Sequence, residues 1–142
     1  MSSDPKVYFL STPIGNLKDI TYRTVEILRS SDVVFAEDTR TALKLLNHLE
    51  IKVKIESLHK DNEAASAGKV LNYISEDKTV SVVSEAGTPC ISDPGAHLAS
   101  ILVKEGITFS APPGASAVLP ALIMSGFDTS DFFFNGFLPH KT

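Results

Sequence analysis

Five short runs of β-favouring residues alternate with longer segments of helical periodicity along this chain of 142 residues. The runs are VYFLS (7–11), DVVFA (32–36), VKIES (53–57), TVSVVS (79–84) and ITFSA (107–111), and the helical segments are 21–30, 40–50, 62–74, 95–106 and 115–126. This alternation is typical of parallel sheets, because each parallel connection needs a crossover, usually a helix. We therefore predict an α/β fold with a five-stranded, mainly parallel sheet flanked by helices.

The composition favours one soluble domain, since 43% of the residues are hydrophobic and 21% are charged. The formal net charge is −4, so any nucleic-acid contact must come from local basic residues. No apolar stretch is long enough to span a bilayer, and the polar first six residues lack the apolar core of a secretory signal. We expect a cytoplasmic protein with no membrane partner.

Cysteine and histidine are placed in a way that argues against a metal site. Cys90 is the single cysteine, and the histidines show no metal-ligand spacing (His48, His59, His97, His140). Cys90 lies in a proline-bounded loop without a histidine partner in the sequence, which favours an inert residue over a nucleophile. We therefore predict no metal.

The chain ends in an unusually aromatic segment, FFFNGFLPHKT (132–142). A free tail would not expose so many phenylalanines. Two interpretations remain open: a sixth strand packed on this domain, or a connection into a second domain.

Three loops that follow predicted strands share glycine, proline and hydroxyl residues: STPIGNLKDIT (11–21), SEAGTPCISDPG (84–95) and APPGASA (111–117). In an open parallel sheet, ligands bind beyond the carboxyl ends of the strands. Glycine lets the main chain approach a ligand closely, and amides with hydroxyls can hold an adenosine, a ribose or a carboxylate. The alternative for each loop is an ordinary tight connection, but together they predict one binding crevice.

The common nucleotide and hydrolase fingerprints are absent from the sequence. No Gly-x-Gly-x-x-Gly follows a strand, and neither Gly-x-x-x-x-Gly-Lys-Ser/Thr nor Gly-x-Ser-x-Gly occurs. These absences argue against a dinucleotide dehydrogenase, a P-loop nucleotidase and a serine hydrolase of the nucleophile-elbow type.

Six blocks in order carry a resemblance to a known family: STPIGNLKDIT, AEDTRTALKLL, SLHKDNE, SEAGTPCISDPG, PPGASAVLPAL and GFLPHK. They resemble the signature blocks of the ribosomal RNA small-subunit methyltransferase I family, within the tetrapyrrole methylase superfamily, from Val7 to Lys141. The resemblance implies S-adenosylmethionine as methyl donor, the 2′-hydroxyl of a cytidine in small-subunit rRNA as acceptor, and a homodimer.

The sequence departs from the family pattern at three points. Glu85 replaces an aspartate, and Ala115 interrupts the usual Pro-Gly-Pro-Ser. Family members also continue into a second domain after the GFLP block, and the donor lies between the two domains. We therefore expect residues 1–142 to be the amino-terminal methylase domain, supplying one wall of the cleft, binding the donor weakly and not turning over alone.

The resemblance also implies roles for individual residues. The donor-contacting positions are Pro13, Ala86, Gly87, Thr88, Ile91, Ser116 and Ala117. The alternative for Thr88 is a turn-stabilising hydroxyl, and for Ser116 the N-cap of the last helix.

The acceptor oxygen needs a base or a stabilising charge, because a ribose hydroxyl is a weak acid. We predict Asp38, Arg40 and Asp93 as catalytic residues, with Asn16 and Glu37 contacting substrate. The structural alternatives are a helix cap for Asp38, a turn anchor for Asp93 and a Gly-Asn turn for Asn16. For two further residues, His59 and Glu63, the sequence favours capping or surface roles over a catalytic dyad. The basic residues that could contact RNA phosphates are scattered along the chain and form no basic stripe (Lys18, Arg23, Arg40, Lys44, Lys141).

Two other functions stay open at this stage. One is methylation of a tetrapyrrole carbon, although that branch typically has Gly-x-Gly-x-Gly-Asp where this chain has TPIGNL. The other is a non-catalytic module for donor binding or dimerisation.

Overall fold

All five predicted strands form in the computed structural model, which describes residues 4–141. The strands are β1 (Val7–Leu10), β2 (Val33–Ala36), β3 (Lys54–Ser57), β4 (Val80–Val83) and β5 (Phe109–Ser110). The helices are α1 (Tyr22–Ser30), α2 (Thr39–His48), α3 (Glu63–Ser75), α4 (Ala96–Lys104) and α5 (Val118–Ser125), with a 3-10 turn at Leu17–Asp19. The sheet order is β3-β2-β4-β1-β5 and every pairing is parallel. The predicted α/β fold is confirmed.

Alternation of side chains along the strands divides the core into two layers. Phe9 and Phe35 pack on one face of the sheet with residues of α3 and α4. Leu10 and Val34 pack on the other face with residues of α1 and α2. Because successive side chains of a strand point to opposite faces, continuous apolar runs such as Val33–Ala36 contribute to both layers.

Side chains cap the starts of α1 and α2. The Thr21 hydroxyl accepts a hydrogen bond from the Thr24 amide at 3.0 Å, at the start of α1. The Asp38 carboxylate accepts from the amides of Arg40 (2.9 Å) and Thr41 (3.4 Å), at the start of α2. The structural alternative for Asp38 is therefore observed, and it fixes the direction in which α2 leaves the carboxyl end of β2.

Glu63 caps a helix other than its own. Its Oε1 accepts hydrogen bonds from the amides of Gly95 (2.9 Å), His97 (3.0 Å) and Leu98 (3.3 Å), at the start of α4. A carboxylate at a helix amino terminus satisfies otherwise unpaired amides and interacts favourably with the helix dipole. This contact ties the end of the 84–95 loop to α3.

The segment after α5 is irregular and exposed. Gly126, in the left-handed conformation (φ +69°), ends α5, and no strand lies between Gly126 and Lys141. The exposed fractions of its phenylalanines range from 49% to 86% (Phe127, Phe132, Phe133, Phe134, Phe137). The expectation of a sixth strand is therefore wrong, because no sheet edge is paired there; the second domain stays a prediction. None of the helices between residues 4 and 141 has the length and apolar character that crossing a membrane requires.

Candidate functional site

The three loops rich in glycine and proline meet at the carboxyl edge of the sheet, as the sequence predicts. They follow β1, β4 and β5, which are neighbours in the sheet. Thr12 and Gly87 exchange two backbone hydrogen bonds, of 3.0 and 2.9 Å. The Ser11 hydroxyl hydrogen-bonds the Thr88 hydroxyl at 2.9 Å, and Thr88 donates to the Ala115 carbonyl at 2.9 Å. Thr88 is thus the residue that links all three loops.

These loops enclose a cleft of about 460 Å³, which we name the loop cleft. Its lining comes from the first loop, the 84–95 loop, the start of α5 and the final segment (Ile14, Ala86, Gly87, Thr88, Ile91, Asp93, Ser116, Ala117, Val118, Leu119, Phe134). The walls are mostly apolar, with one carboxylate and two hydroxyls among them. Such a lining suits a small molecule that has an apolar ring and a few polar groups.

Six of the seven residues predicted to contact the donor line the loop cleft, and Pro13 is the exception. Pro13 lines a separate cavity beside α2, whereas its neighbour Ile14 lines the loop cleft. The bridge at Thr12 explains the difference, because it places successive residues of the first loop on opposite sides. Ile14 is 47% exposed, and no sequence signal singles it out, because Leu17 on the same loop is apolar and equally exposed.

Ser116 lies one residue before the N-cap of α5, which is Ala117, so Ser116 is not the N-cap itself. It lines the loop cleft, and its hydroxyl also accepts a hydrogen bond from the Val118 amide at 3.3 Å. Ala117 is the residue immediately before α5. The Ser116 hydroxyl therefore supports the first turn of α5 while it faces the cleft.

Two glycines allow these loops to approach one another. Gly87 has a φ of +79°, a conformation that residues with a side chain rarely adopt. A Cβ on Gly114 would lie 2.6 Å from the Ser11 Cβ, which is closer than any real contact. The loop after β5 can pack on the end of β1 only because Gly114 has no side chain.

Three carboxylates influence one another beside the loop cleft. Burial raises the pKa of Glu37, and the neighbouring charges of Asp93 and Glu85 raise it further. Burial likewise raises the pKa of Asp93, followed by the charge of Glu85. Glu37 follows β2 and the other two follow β4, so the sheet brings together acidic residues that are distant in sequence. Glu85, which the sequence assigned no role, belongs to this group.

The remaining predicted residues lie around the cleft rather than in it. Hydrogen bonds from the amides of Arg40 and Thr41 lower the pKa of Asp38. The Arg40 side chain is 89% exposed and lies 3.7 Å from the Asp38 carboxylate. Asn16 accepts from the Lys18 amide at 3.0 Å and lines a shallow groove between the first loop and α5. Asp93 is therefore the one predicted catalytic residue that lines the loop cleft.

The 84–95 loop has a strained backbone, which the sequence did not reveal. Cys90 (φ +73°) and Ser92 (φ +57°) adopt positive φ although both carry side chains. Burial, with the charges of Glu63 and Asp93, raises the pKa of the Cys90 thiol to about 11. The thiol is thus protonated at neutral pH, which agrees with an inert cysteine. Within residues 4–141, no group of three or more His, Cys, Asp or Glu side chains is placed to hold a metal ion.

The fold agrees with the comparisons to known proteins. The model of the family described as Tetrapyrrole (Corrin/Porphyrin) Methylases matches residues 6–140. A solved uroporphyrin-III-C-methyltransferase from Thermus thermophilus superposes with a TM-score of 0.64 at 21% identity, covering 87% of this chain and 54% of that one. The chain belongs to the tetrapyrrole methylase family.

Within that family, curated relatives point to one branch. A protein named Ribosomal RNA small subunit methyltransferase I from Halalkalibacterium halodurans is 44% identical over 135 residues, which are 95% of this chain and 47% of that protein. A protein of the same name from Thermotoga maritima is 44% identical over 134 residues, covering 94% of this chain and 60% of that protein. The resemblance drawn from the sequence blocks is confirmed. The chain spans about half the length of the curated relatives it matches.

Proposed function

We propose that this chain is the amino-terminal domain of an S-adenosylmethionine-dependent methyltransferase that acts on the 2′-hydroxyl of a cytidine in small-subunit rRNA. The loop cleft is the observation that carries this proposal, because six of its lining residues match donor-contacting positions of the family pattern. The names of the curated relatives support rRNA as the acceptor. A second domain would supply the opposite wall of the donor site.

The loop cleft suits the chemistry of this donor. Its volume of about 460 Å³ lies within the range of about 300–1,000 Å³ that is common for small-molecule sites. Ile14 and Ile91 are about half exposed and offer apolar surface to an adenine ring. Gly87 lines the cleft without a side chain, so no Cβ obstructs a ligand at that point. The carboxylates of Glu37 and Asp93 create a negative potential that favours a cationic sulfonium.

The donor supplies an electrophilic methyl group: the acceptor oxygen forms a bond to that carbon as the carbon–sulfur bond breaks, and a neutral thioether leaves. The protein's part is to align the two reactants and exclude water. It must also accept the hydroxyl proton. Asp93 is the favoured acceptor, because it lines the cleft and its pKa is raised, which makes the carboxylate a better base.

The other predicted residues have supporting roles in this proposal. Asp38 holds the start of α2 in place, so that the exposed Arg40 can neutralise a phosphate of the RNA. Glu37 and Asn16 would contact substrate beyond the loop cleft, since neither of them lines it.

We also propose that the protein acts in the cytoplasm as a homodimer. The exposed apolar side chains of α5 support assembly, because surfaces of this kind are usually covered (Leu119, Ile123, Met124). If residues 4–141 carry the dimer contact, light scattering on the 142-residue chain should give a molar mass twice that of one chain.

The test is transfer of radiolabelled methyl from S-adenosylmethionine to unmethylated small ribosomal subunits, followed by alkaline hydrolysis. The gene product in its natural length is assayed beside the 142-residue chain. A methylated 2′-oxygen cannot attack the neighbouring phosphate, so the label should remain in an alkali-resistant dinucleotide. Label in mononucleotides would indicate methylation elsewhere, and no label in RNA would redirect the search to tetrapyrroles. The isolated chain should not transfer methyl.

A further inference from the structure

A second cavity, of about 210 Å³, lies on the other side of the Thr12–Gly87 bridge, between the first loop, α2 and the end of β4. We name it the α2 pocket. Its inner wall is apolar and buried, formed in part by Leu28, Val34 and Val83. Lys44 and Glu85 lie at its exposed rim. The function proposed above leaves this cavity unused.

The α2 pocket contains an unsatisfied polar group. Thr12 lines it and is 4% exposed, and its hydroxyl has no hydrogen-bond partner among the described residues. The backbone amide and carbonyl of Thr12 are both occupied by Gly87. A buried hydroxyl without a partner is unfavourable, and native structures rarely keep one without a reason. A ligand with a polar edge would satisfy it.

The volume and lining of the α2 pocket favour a small heterocycle. An apolar cavity of about 150 Å³ is enough to hold a benzene ring, so the α2 pocket has room for a pyrimidine with its exocyclic groups. Its apolar lining can pack against a ring while the Thr12 hydroxyl, which both donates and accepts, bonds to the ring edge. A single rim lysine is too little to make this a phosphate site.

The α2 pocket is also adjacent to the loop cleft. Pro13 lines the pocket and Ile14 the cleft; likewise Glu85 lines the pocket and Ala86 the cleft. On both loops the two cavities are thus one residue apart, about 3.8 Å along the backbone. A nucleotide whose ribose reaches the donor at the cleft would have its base beside the pocket.

We infer that the α2 pocket receives the unstacked base of the nucleotide to be methylated, with the Thr12 hydroxyl bonded to the base edge; this inference rests on the proposed function. Proteins that recognise single-stranded RNA commonly bind splayed-out bases between apolar surfaces and read their edges with hydrogen bonds. Lys44 at the rim would then lie near the backbone of the same nucleotide.

Four variants of the natural-length gene product test the inference. Thr12→Val removes the hydroxyl at nearly constant shape, and Thr12→Ser keeps it. Leu45→Phe fills the pocket, and Leu43→Phe makes the same change at a residue of α2 that is 49% exposed and outside the pocket lining. The measurements are KM and kcat for methylation of small ribosomal subunits, the calorimetric affinity for S-adenosylmethionine, and the melting temperature.

We expect Thr12→Val to raise KM for the RNA about 3- to 10-fold, as the loss of one hydrogen bond does, without lowering the melting temperature. Leu45→Phe should raise KM more than 10-fold, and donor affinity should stay unchanged in all four variants. Unchanged KM in both Thr12→Val and Leu45→Phe would overturn this inference and leave the proposed function standing. A lower melting temperature for Thr12→Val would also overturn it, because the hydroxyl would then have a partner within the protein. No methyl transfer by the unmodified protein would instead reject the proposed function, and the inference with it.

Discussion

Substitution of Gly114 by alanine tests whether the three loops act as one unit. The added Cβ would lie 2.6 Å from the Ser11 Cβ and 3.0 Å from its hydroxyl oxygen. Ser11 is buried at the end of β1, so the contact can be relieved only if Ser11 or the 111–117 loop moves. Movement of Ser11 breaks its hydrogen bond to Thr88, and movement of the loop breaks the bond from Thr88 to Ala115. Either response disturbs the loop cleft.

The expected cost follows from these contacts. Inserting a methyl group into a packed site typically costs about 1–3 kcal/mol, and the loss of one hydrogen bond costs about 1 kcal/mol. The free energy of unfolding of Gly114→Ala should therefore fall by about 2–4 kcal/mol, which lowers the melting temperature of a domain of this size by about 6–12 °C. Donor affinity should fall about 10-fold or more, because Thr88 lines the loop cleft.

Gly15→Ala is the matched control, because a Cβ at Gly15 meets nothing within 4 Å and the residue lies on the same first loop. Thermal unfolding by circular dichroism and titration with S-adenosylmethionine compare the two variants. If Gly114→Ala melts within about 1 °C of Gly15→Ala and binds the donor equally well, the close contact between the loops is not what shapes the cleft.

Three further substitutions test the charges of this domain. Burial alone would raise the pKa of Glu56, but hydrogen bonds from Tyr73 and two lysines outweigh it and lower the pKa from 4.5 to about 2. Glu56→Gln should therefore lower the free energy of unfolding by about 3 kcal/mol above pH 4.5, and this loss should shrink as the pH falls towards 2. Urea unfolding at several pH values measures it, and a loss that does not depend on pH would contradict the reasoning. Glu63→Ala should lower the melting temperature by about 3–9 °C, because it leaves three amides at the start of α4 unpaired. An unchanged melting temperature would mean that water replaces the carboxylate. Asp93→Asn should raise the melting temperature at pH 7, with a gain that disappears in acid where Asp93 is already protonated; a loss at pH 7 would show that this carboxylate stabilises the fold.

The sequence predicted those parts of the structure that depend on local pattern. Alternating strand and helix periods were enough for the α/β class, and Asp38 was recognisable as a possible helix cap. The meeting of the three loops followed from a general rule, because the carboxyl ends of parallel strands share one edge. The predicted strand at 107–111 shortened to Phe109–Ser110, since only two residues of this edge strand pair with β1.

Features that depend on distant partners were beyond the sequence. Glu63 caps α4 across 32 residues, and nothing in its own neighbourhood identifies that partner. Ile14 lines the loop cleft in place of the predicted Pro13 because of the Thr12–Gly87 bridge, and a sequence pattern does not show that bridge. The α2 pocket could not be predicted either, because its lining comes from α1, α2, β2, β4, the first loop and the 84–95 loop.

Two acidic residues of this fold, Glu56 and Asp93, differ in their effect on stability: one stabilises the fold and the other, beside the loop cleft, does not. Glu56 and Asp93 are both partly buried, and burial raises the pKa of each carboxyl. Hydrogen bonds from Tyr73, Lys54 and Lys69 outweigh burial at Glu56 and lower its pKa to about 2, whereas at Asp93 the charge of Glu85 adds to the effect of burial. The first arrangement stabilises the folded chain, and the second opposes it at neutral pH. A carboxylate kept at that cost beside a cleft indicates a functional role, and both accepting a proton and facing a positive group fit Asp93. A cationic donor would lower the raised pKa values again, so donor affinity should increase with pH until Asp93 and Glu37 are ionised in the free protein.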